Sequence, residues 1–226
     1  MEAPLSTSNV PWHRVASAYD RQLALQRPAL RALLDLVSPL AGEELLDVAT
    51  GTAGVLRELR MPPGRPLRAV GVDSSPQMLA AARDLPPEWE LVRADARELP
   101  FDDDSFDVAT VAYLLHLLDR RDRDLVLEEV ARVLRPGGRL ATVTPALPRA
   151  RLGRLLVKPV VAVAEASSGV AAGLRPLDPR SELGERFTVR RARWVNRGYP
   201  SLCVLASLDP GPAPDRSHAA PQAPSA

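Results

Sequence analysis

The stretch LLDVATGTAGV, Leu45 to Val55, decides how the rest of the chain is read. An apolar run ends in an acid, Asp47, and small residues and glycines follow. That order reads as a buried strand entering a tight loop and then a helix. Glycine lets a ligand approach the backbone, and a helix start presents unpaired amides. A phosphate-cradling loop of the form G-x-x-x-x-G-K-[ST] needs a lysine. None follows here, and Lys158 is the sole lysine of the chain. A dinucleotide fingerprint needs three glycines; Gly51 and Gly54 supply the last two, but Ala49 stands at the first. The third reading is a ligand without phosphate, S-adenosylmethionine, whose carboxylate suits helix amides and whose ammonium suits Asp47. Asp73 lies roughly 20 residues beyond the loop, the distance at which a strand-terminal acid meets ribose hydroxyls. A dehydrogenase would share that acid, so Asp73 alone does not discriminate. A purely structural turn is the fourth reading.

Composition narrows the field. The 226 residues favour one domain. The 29 basic and 28 acidic residues nearly cancel, which removes any global attraction to nucleic acid or anionic membrane. Cys203 is the only cysteine, so an intrachain disulfide and a cysteine-based metal cluster are excluded and a reducing, cytoplasmic setting is expected. The N-terminal MEAPLSTSNV has no basic region followed by an apolar core, unlike a secretory signal. Leu155 to Ala164 is the longest apolar candidate, and Lys158 and Pro159 break it far below a membrane span. The histidines His13, His116 and His218 do not cluster, so no metal site is expected.

Periodicity lays out the elements. A short helix is expected over Val10 to Asp20 and a second over Arg27 to Val37, with Pro28 in its first turn. Strands follow at Leu45–Ala49, Leu67–Val72, Trp89–Arg93 and Phe106–Tyr113, with helices at Thr52–Arg60 and from Ser75-Pro76 to Arg83. Asp122 to Leu134 is amphipathic, and Pro136-Gly137-Gly138 marks its end before a fifth strand, Arg139–Thr144. Leu147 to Gly173 reads as one or two helices, and Pro179 to Leu183 as a helical turn capped by Asp178. Phe187–Trp194 and Ser201–Leu208 read as an antiparallel hairpin. This alternation argues an α/β domain with a largely parallel sheet. The expected division is a disordered N-terminus over 1–9, one domain over 10–208 with a helical substrate-covering insertion at 145–180, and a disordered Pro/Ala-rich tail over 209–226.

Four blocks, LLDVATGTAGV, AVGVDSSPQMLAAAR, ADARELPFDDDSFDVATVAYLLHLL and ARVLRPGGRLATV, resemble in order and spacing the class I S-adenosylmethionine-dependent methyltransferases. The similar branch is that of the menaquinone/ubiquinone biosynthesis C-methyltransferases. The resemblance covers roughly Val10 to Thr144. It implies a Rossmann-like seven-stranded sheet, mostly parallel with the last strand antiparallel, and helices on both faces. It implies that Asp47 faces the methionine amino group and that Ala49, Gly51 and Thr52 line the loop. Asp73 would take the ribose hydroxyls, with Ser74 and Met78 beside the adenosine. Asp95 would bind the adenine amino group, and the Ala96 amide would contact the ring. Ala112 and Tyr113 would border the methionine moiety, and Tyr19 would cap the cofactor. The chain departs from the family's glycine pattern with Ala49, Gly51 and Ala53, a glycine being displaced to Gly54. If the third position needs positive φ, Ala53 carries a strain of roughly 1 kcal/mol or more.

The resemblance says little about substrate; the expected reaction is methylation, at carbon or oxygen, of a small-molecule acceptor of hydrophobic or aromatic character. His116 follows the fourth strand and is the candidate general base, its ordinary pKa suiting proton removal. Arg151, Arg154 and Lys158 share one helical face and offer a peripheral membrane contact. Asp102, Asp103 and Asp104 read as a solvated turn. Two other classes stay open at this point: a nicotinamide oxidoreductase, and a non-catalytic scaffold on the same fold.

Overall fold

A computed structural model describes residues 12–59, 68–148, 175–184 and 186–209, with side chains from residue 23 onward. The expected helices within 149–174 and the tail from residue 210 lie outside the described residues, as does the segment 1–11.

Seven strands form one sheet: β1 (Glu44–Val48), β2 (Arg68–Asp73), β3 (Glu90–Arg93), β4 (Phe106–Ala112), β5 (Leu134–Pro145), β6 (Phe187–Val195) and β7 (Ser201–Leu208). Their order is β3-β2-β1-β4-β5-β7-β6. β1 to β5 pair in parallel, and β7 runs antiparallel between β5 and β6. This is the architecture expected from the sequence, down to the reversed last strand. β1 pairs with β2 on one side and β4 on the other. The chain therefore changes direction across the sheet at β1, and crevices at such switch points are where α/β sheets bind ligands.

Strand residues alternate between two apolar layers, because successive side chains point to opposite faces. Leu45, Val108, Ala141, Val143 and Cys203 pack beneath helices α1 (Trp12–Val37) and α2 (Gly54–Leu59). Leu46, Val48, Ala109, Val111 and Val204 pack beneath α4 (Arg120–Val133), whose Val126, Val130 and Val133 are buried. The short helix α3 (Pro76–Ala81) begins as expected, with Ser75 Oγ accepting the Met78 N–H at 3.3 Å and proline in the first turn.

Three expectations need correction. The two N-terminal helices are one, α1, running through Pro28. Proline lacks an N–H and crowds the preceding turn, so it reads in sequence as a helix start. Here the turn before it is used by the neighbouring hairpin instead: the Leu25 carbonyl accepts the Tyr199 N–H at 3.1 Å. The fifth strand begins at Leu134, not Arg139, because the chain leaving α4 pairs at once with Phe106 before the register shifts to Val108 and Arg139. Pro136-Gly137-Gly138 is that irregularity inside a strand, with Gly137 at φ +78. The helix expected from Thr52 starts only at Gly54, since Ala53 is left-handed at φ +63.

Among the described residues no helix is long and apolar enough to cross a membrane.

Candidate functional site

Acids stand at the carboxyl ends of three adjacent strands. Asp47 lies in β1, in register with Gly71 on β2 and Thr110 on β4. Asp73 closes β2. Asp95 follows β3 by two residues. The loop Ala49 to Ala53 runs between the first two, and it is left-handed at every other residue: Ala49 at φ +56, Gly51 at +57, Ala53 at +63. Such a φ costs a residue with a Cβ about 1–2 kcal/mol. The expected strain at Ala53 is therefore present, and Ala49 adds a second instance.

The displaced glycine has a different use. A Cβ on Gly54 would lie 2.7 Å from Leu23 Cδ2, so the glycine lets α2 begin against α1. The loop is pinned from below as well: Thr50 N–H donates to the Val72 carbonyl at 2.9 Å, and Ala53 N–H to the Thr50 carbonyl at 2.9 Å. Thr52 is buried, and its hydroxyl accepts from Arg57 at 3.4 Å.

Each acid is held differently. Asp47 is 1% exposed. Its two oxygens accept from the hydroxyls of Thr50 and Thr110, each at 2.6 Å. Burial pushes its carboxyl up to about 6, against the lowering effect of those two bonds. Asp73 accepts the Gly51 N–H and the Ser75 N–H, each at 2.9 Å, and burial raises it above the ordinary carboxylate range. Asp95 is gripped by Arg97, whose Nη2 donates to it at 2.7 Å, and this pairing holds it below that range. Arg97 Nη1 also donates to Asp122 at 3.0 Å, which ties the end of β3 to the start of α4.

Ala49, Ser74, Asp95 and Ala96 line one narrow cavity of about 40 Å³, which Leu114, Leu118 and Val126 also line. Room for a purine there requires these aliphatic side chains to give way. Met78 is buried. Ala112 ends β4 half-buried, and Tyr113 follows it at φ +55, an unusual conformation for a bulky residue. The Tyr113 ring turns into the core: its hydroxyl lies 2.7 Å from Ser201 Oγ. Ser201 Oγ donates to the Tyr199 carbonyl at 2.7 Å, so the phenol is the donor in the first bond. His116 sits in a 3-10 turn, Leu115–Leu117, 5% exposed, edge-on to the Tyr113 ring with centroids 6.3 Å apart. Tyr19 falls in α1, in the part whose side chains lie outside the described set. In the acidic run, Asp103 pairs with Arg132 at 2.9 Å and is 74% exposed, a solvated turn.

The sequence reading passed over Thr110 and Arg97. A lone hydroxyl inside the apolar run of β4 was the available signal for the first, and the D-A-R spacing for the second. Taken together, the donor set offers carboxylates and amides to a ligand. It fits a molecule with an ammonium, a carboxylate and sugar hydroxyls, and it supplies no lysine for a phosphate.

Comparison with known proteins agrees with this chemistry. Residues 45–138 match a family model described as a methyltransferase domain. A demethylmenaquinone methyltransferase of Clavibacter sepedonicus is 37% identical over 160 residues, covering 66% of this chain and 63% of that protein. A ubiquinone/menaquinone biosynthesis C-methyltransferase, UbiE, of Idiomarina loihiensis is 34% identical over 137 residues, covering 56% of this chain and 54% of that protein. The chain thus aligns with less than two thirds of the length of these curated relatives. Among solved structures, a SAM-dependent methyltransferase from Aquifex aeolicus superposes with a TM-score of 0.54 at 21% identity, covering 79% of this chain and 89% of that one. That likeness speaks for the fold. With the reversed seventh strand, the three strand-end acids and the matching sequence blocks, residues 45–138 are a methyltransferase domain and the chain is similar to the class I S-adenosylmethionine-dependent methyltransferases.

Proposed function

We propose that this chain transfers a methyl group from S-adenosylmethionine to a carbon of a small, apolar, quinol-like acceptor. The observation that carries the cofactor is the row of Asp47, Asp73 and Asp95 at the ends of β1, β2 and β3, around the Gly51 loop. The acceptor class rests on the names of the relatives, which act on demethylmenaquinone or serve ubiquinone and menaquinone biosynthesis.

When bound, the cofactor supplies a methyl made electrophilic by a positive sulfur. The chain's work is to bind, orient and exclude water, which is where most of the rate of a displacement arises. Asp47 opposes the ammonium. Asp73 receives the ribose hydroxyls through the lone pairs left over by Gly51 and Ser75. Asp95 and the Ala96 amide take the adenine edge, Ser74 and Met78 flank the adenosine, and Ala49, Gly51 and Thr52 form the loop floor. Ala112 and Tyr113 border the methionine end. His116, in the turn that follows β4, removes the acceptor proton that a phenol or enol must lose.

The test is a transfer assay with radiolabelled S-adenosylmethionine and demethylated naphthoquinols of varied side chain. Label on the ring carbon supports the reading. Label on oxygen only, or no transfer despite cofactor binding, overturns the carbon-acceptor assignment.

A further inference from the structure

Away from the site, α1 and the end of β6 enclose a groove of about 580 Å³. Four arginines line it: Arg27 and Arg31 from α1, and Arg193 and Arg197 from β6 and the turn after it. Arg27 and Arg31 are one helical turn apart and share a face. Arg193 opposes Cys203, whose side chain belongs to the layer under α1, so Arg193 points to the same side of the sheet. Two carboxylates answer these four cations. Glu58, on α2, accepts from Arg27 Nε at 2.6 Å and Arg31 Nε at 2.7 Å. Asp35 meets Arg193 at 3.3 Å and is 69% exposed, so water screens that pair strongly.

Three arginines elsewhere are balanced otherwise. Arg97 and Arg135 each hold two acids, and Arg139 grips Glu43 through both terminal nitrogens. In the groove the ratio is reversed. Glu58 contacts the inner Nε of Arg27 and Arg31, and both arginines line the groove. Arg197 has no carboxylate partner among the described residues, and it is exposed. The chain as a whole is close to neutral, so this surplus is a local arrangement rather than a reflection of composition.

We propose that the groove between α1 and β6 binds a phosphate-bearing anion. Guanidinium nitrogens in planar forks match phosphate oxygens two at a time, which arginine does better than lysine. A concave floor holds the anion in reach of both elements at once. The shared chemistry is a phosphate or diphosphate, carried either by a free small molecule or by the headgroup of an acidic lipid.

Calorimetry of the full chain with inorganic pyrophosphate tests the free-anion source. Co-sedimentation with phosphatidylglycerol vesicles, against pure phosphatidylcholine, tests the headgroup source. Each is repeated on Arg197→Gln, which loses no ion pair, and on the Arg193→Gln/Arg197→Gln double variant. S-adenosylhomocysteine binding, unchanged in both variants, certifies the fold. Saturable pyrophosphate binding that weakens roughly tenfold or more in the double variant supports a free anion. Selective vesicle binding that pyrophosphate competes away, and that falls equally in the variants, supports a headgroup. No binding of either probe, or binding indifferent to both variants, overturns the proposal.

Discussion

Gly51 donates its backbone N–H to Asp73 Oδ2 at 2.9 Å, across the gap between the β1 loop and the end of β2. One bond thus joins the glycine that lets the loop turn and the acid assigned to the ribose. The loop's left-handed residues and the position of Asp73 are set together. Removing the carboxylate disturbs the loop, and straining the loop moves the acid.

Asp73→Ala is therefore expected to lower stability as well as cofactor affinity. Two backbone N–H groups, of Gly51 and Ser75, lose their acceptor. The expected loss is about 1–2 kcal/mol, read as a lower midpoint in urea unfolding with an unchanged slope.

Asp47 gives a pH dependence of definite sign. Its folded carboxyl is raised to about 6 from 3.8, chiefly by burial, so the folded state holds the proton more tightly than the unfolded one. The stability this confers is full below pH 4 and is lost as pH rises through about 6, at an expected cost near 3 kcal/mol by linkage. Asp47→Asn should flatten that slope and stabilise the protein at pH 8 by about 1–2 kcal/mol, measured by urea unfolding at pH 4 and 8. Cofactor binding runs the other way. Only ionised Asp47 attracts an ammonium, so wild-type affinity at pH 5 is expected to be about tenfold below that at pH 8, with no such change in Asp47→Asn.

The alanines of the loop make a third test. Ala49 holds φ +56 while only half-buried, so Ala49→Gly relieves strain and removes little packed surface. An increase of about 0.5–1 kcal/mol, or roughly 1–4 °C in Tm, is expected. Ala53 is fully buried, so in Ala53→Gly the lost methyl, about 0.8 kcal/mol, offsets the relief and the net change is near zero.

Much of this was legible in the chain itself. The strand at Leu45–Ala49 and those ending at Asp73 and Ala112 announced themselves, because fully buried parallel strands are continuous apolar runs. The closing hairpin was equally plain. What failed were the punctuation marks. Pro28 and Pro136-Gly137-Gly138 normally end helices, and each here lies inside an element. The left-handed turn at Tyr113 had no signal, since the conformation is imposed by packing against Ser201 and Tyr199 rather than by the residue. Gly54 read as a misplaced loop glycine, and its reason, the approach of Leu23, spans two helices.

Gly198 tests the corrected α1 directly. It sits at φ +71, and a Cβ there would approach the Leu25 carbonyl oxygen to 2.1 Å. Backbone cannot step aside as a side chain would. Gly198→Ala should cost about 2–4 kcal/mol and break the Tyr199 to Leu25 bond, seen as accelerated exchange of the Tyr199 amide.

The central claim is that the three strand-end acids build a site for S-adenosylmethionine, and titration calorimetry of the full chain addresses it. Wild type should bind S-adenosylmethionine and S-adenosylhomocysteine at one site, give no heat with NAD, and lose about 1–3 kcal/mol of binding on Asp73→Ala. Binding of NAD alone, or an affinity for S-adenosylmethionine indifferent to Asp73, would contradict it.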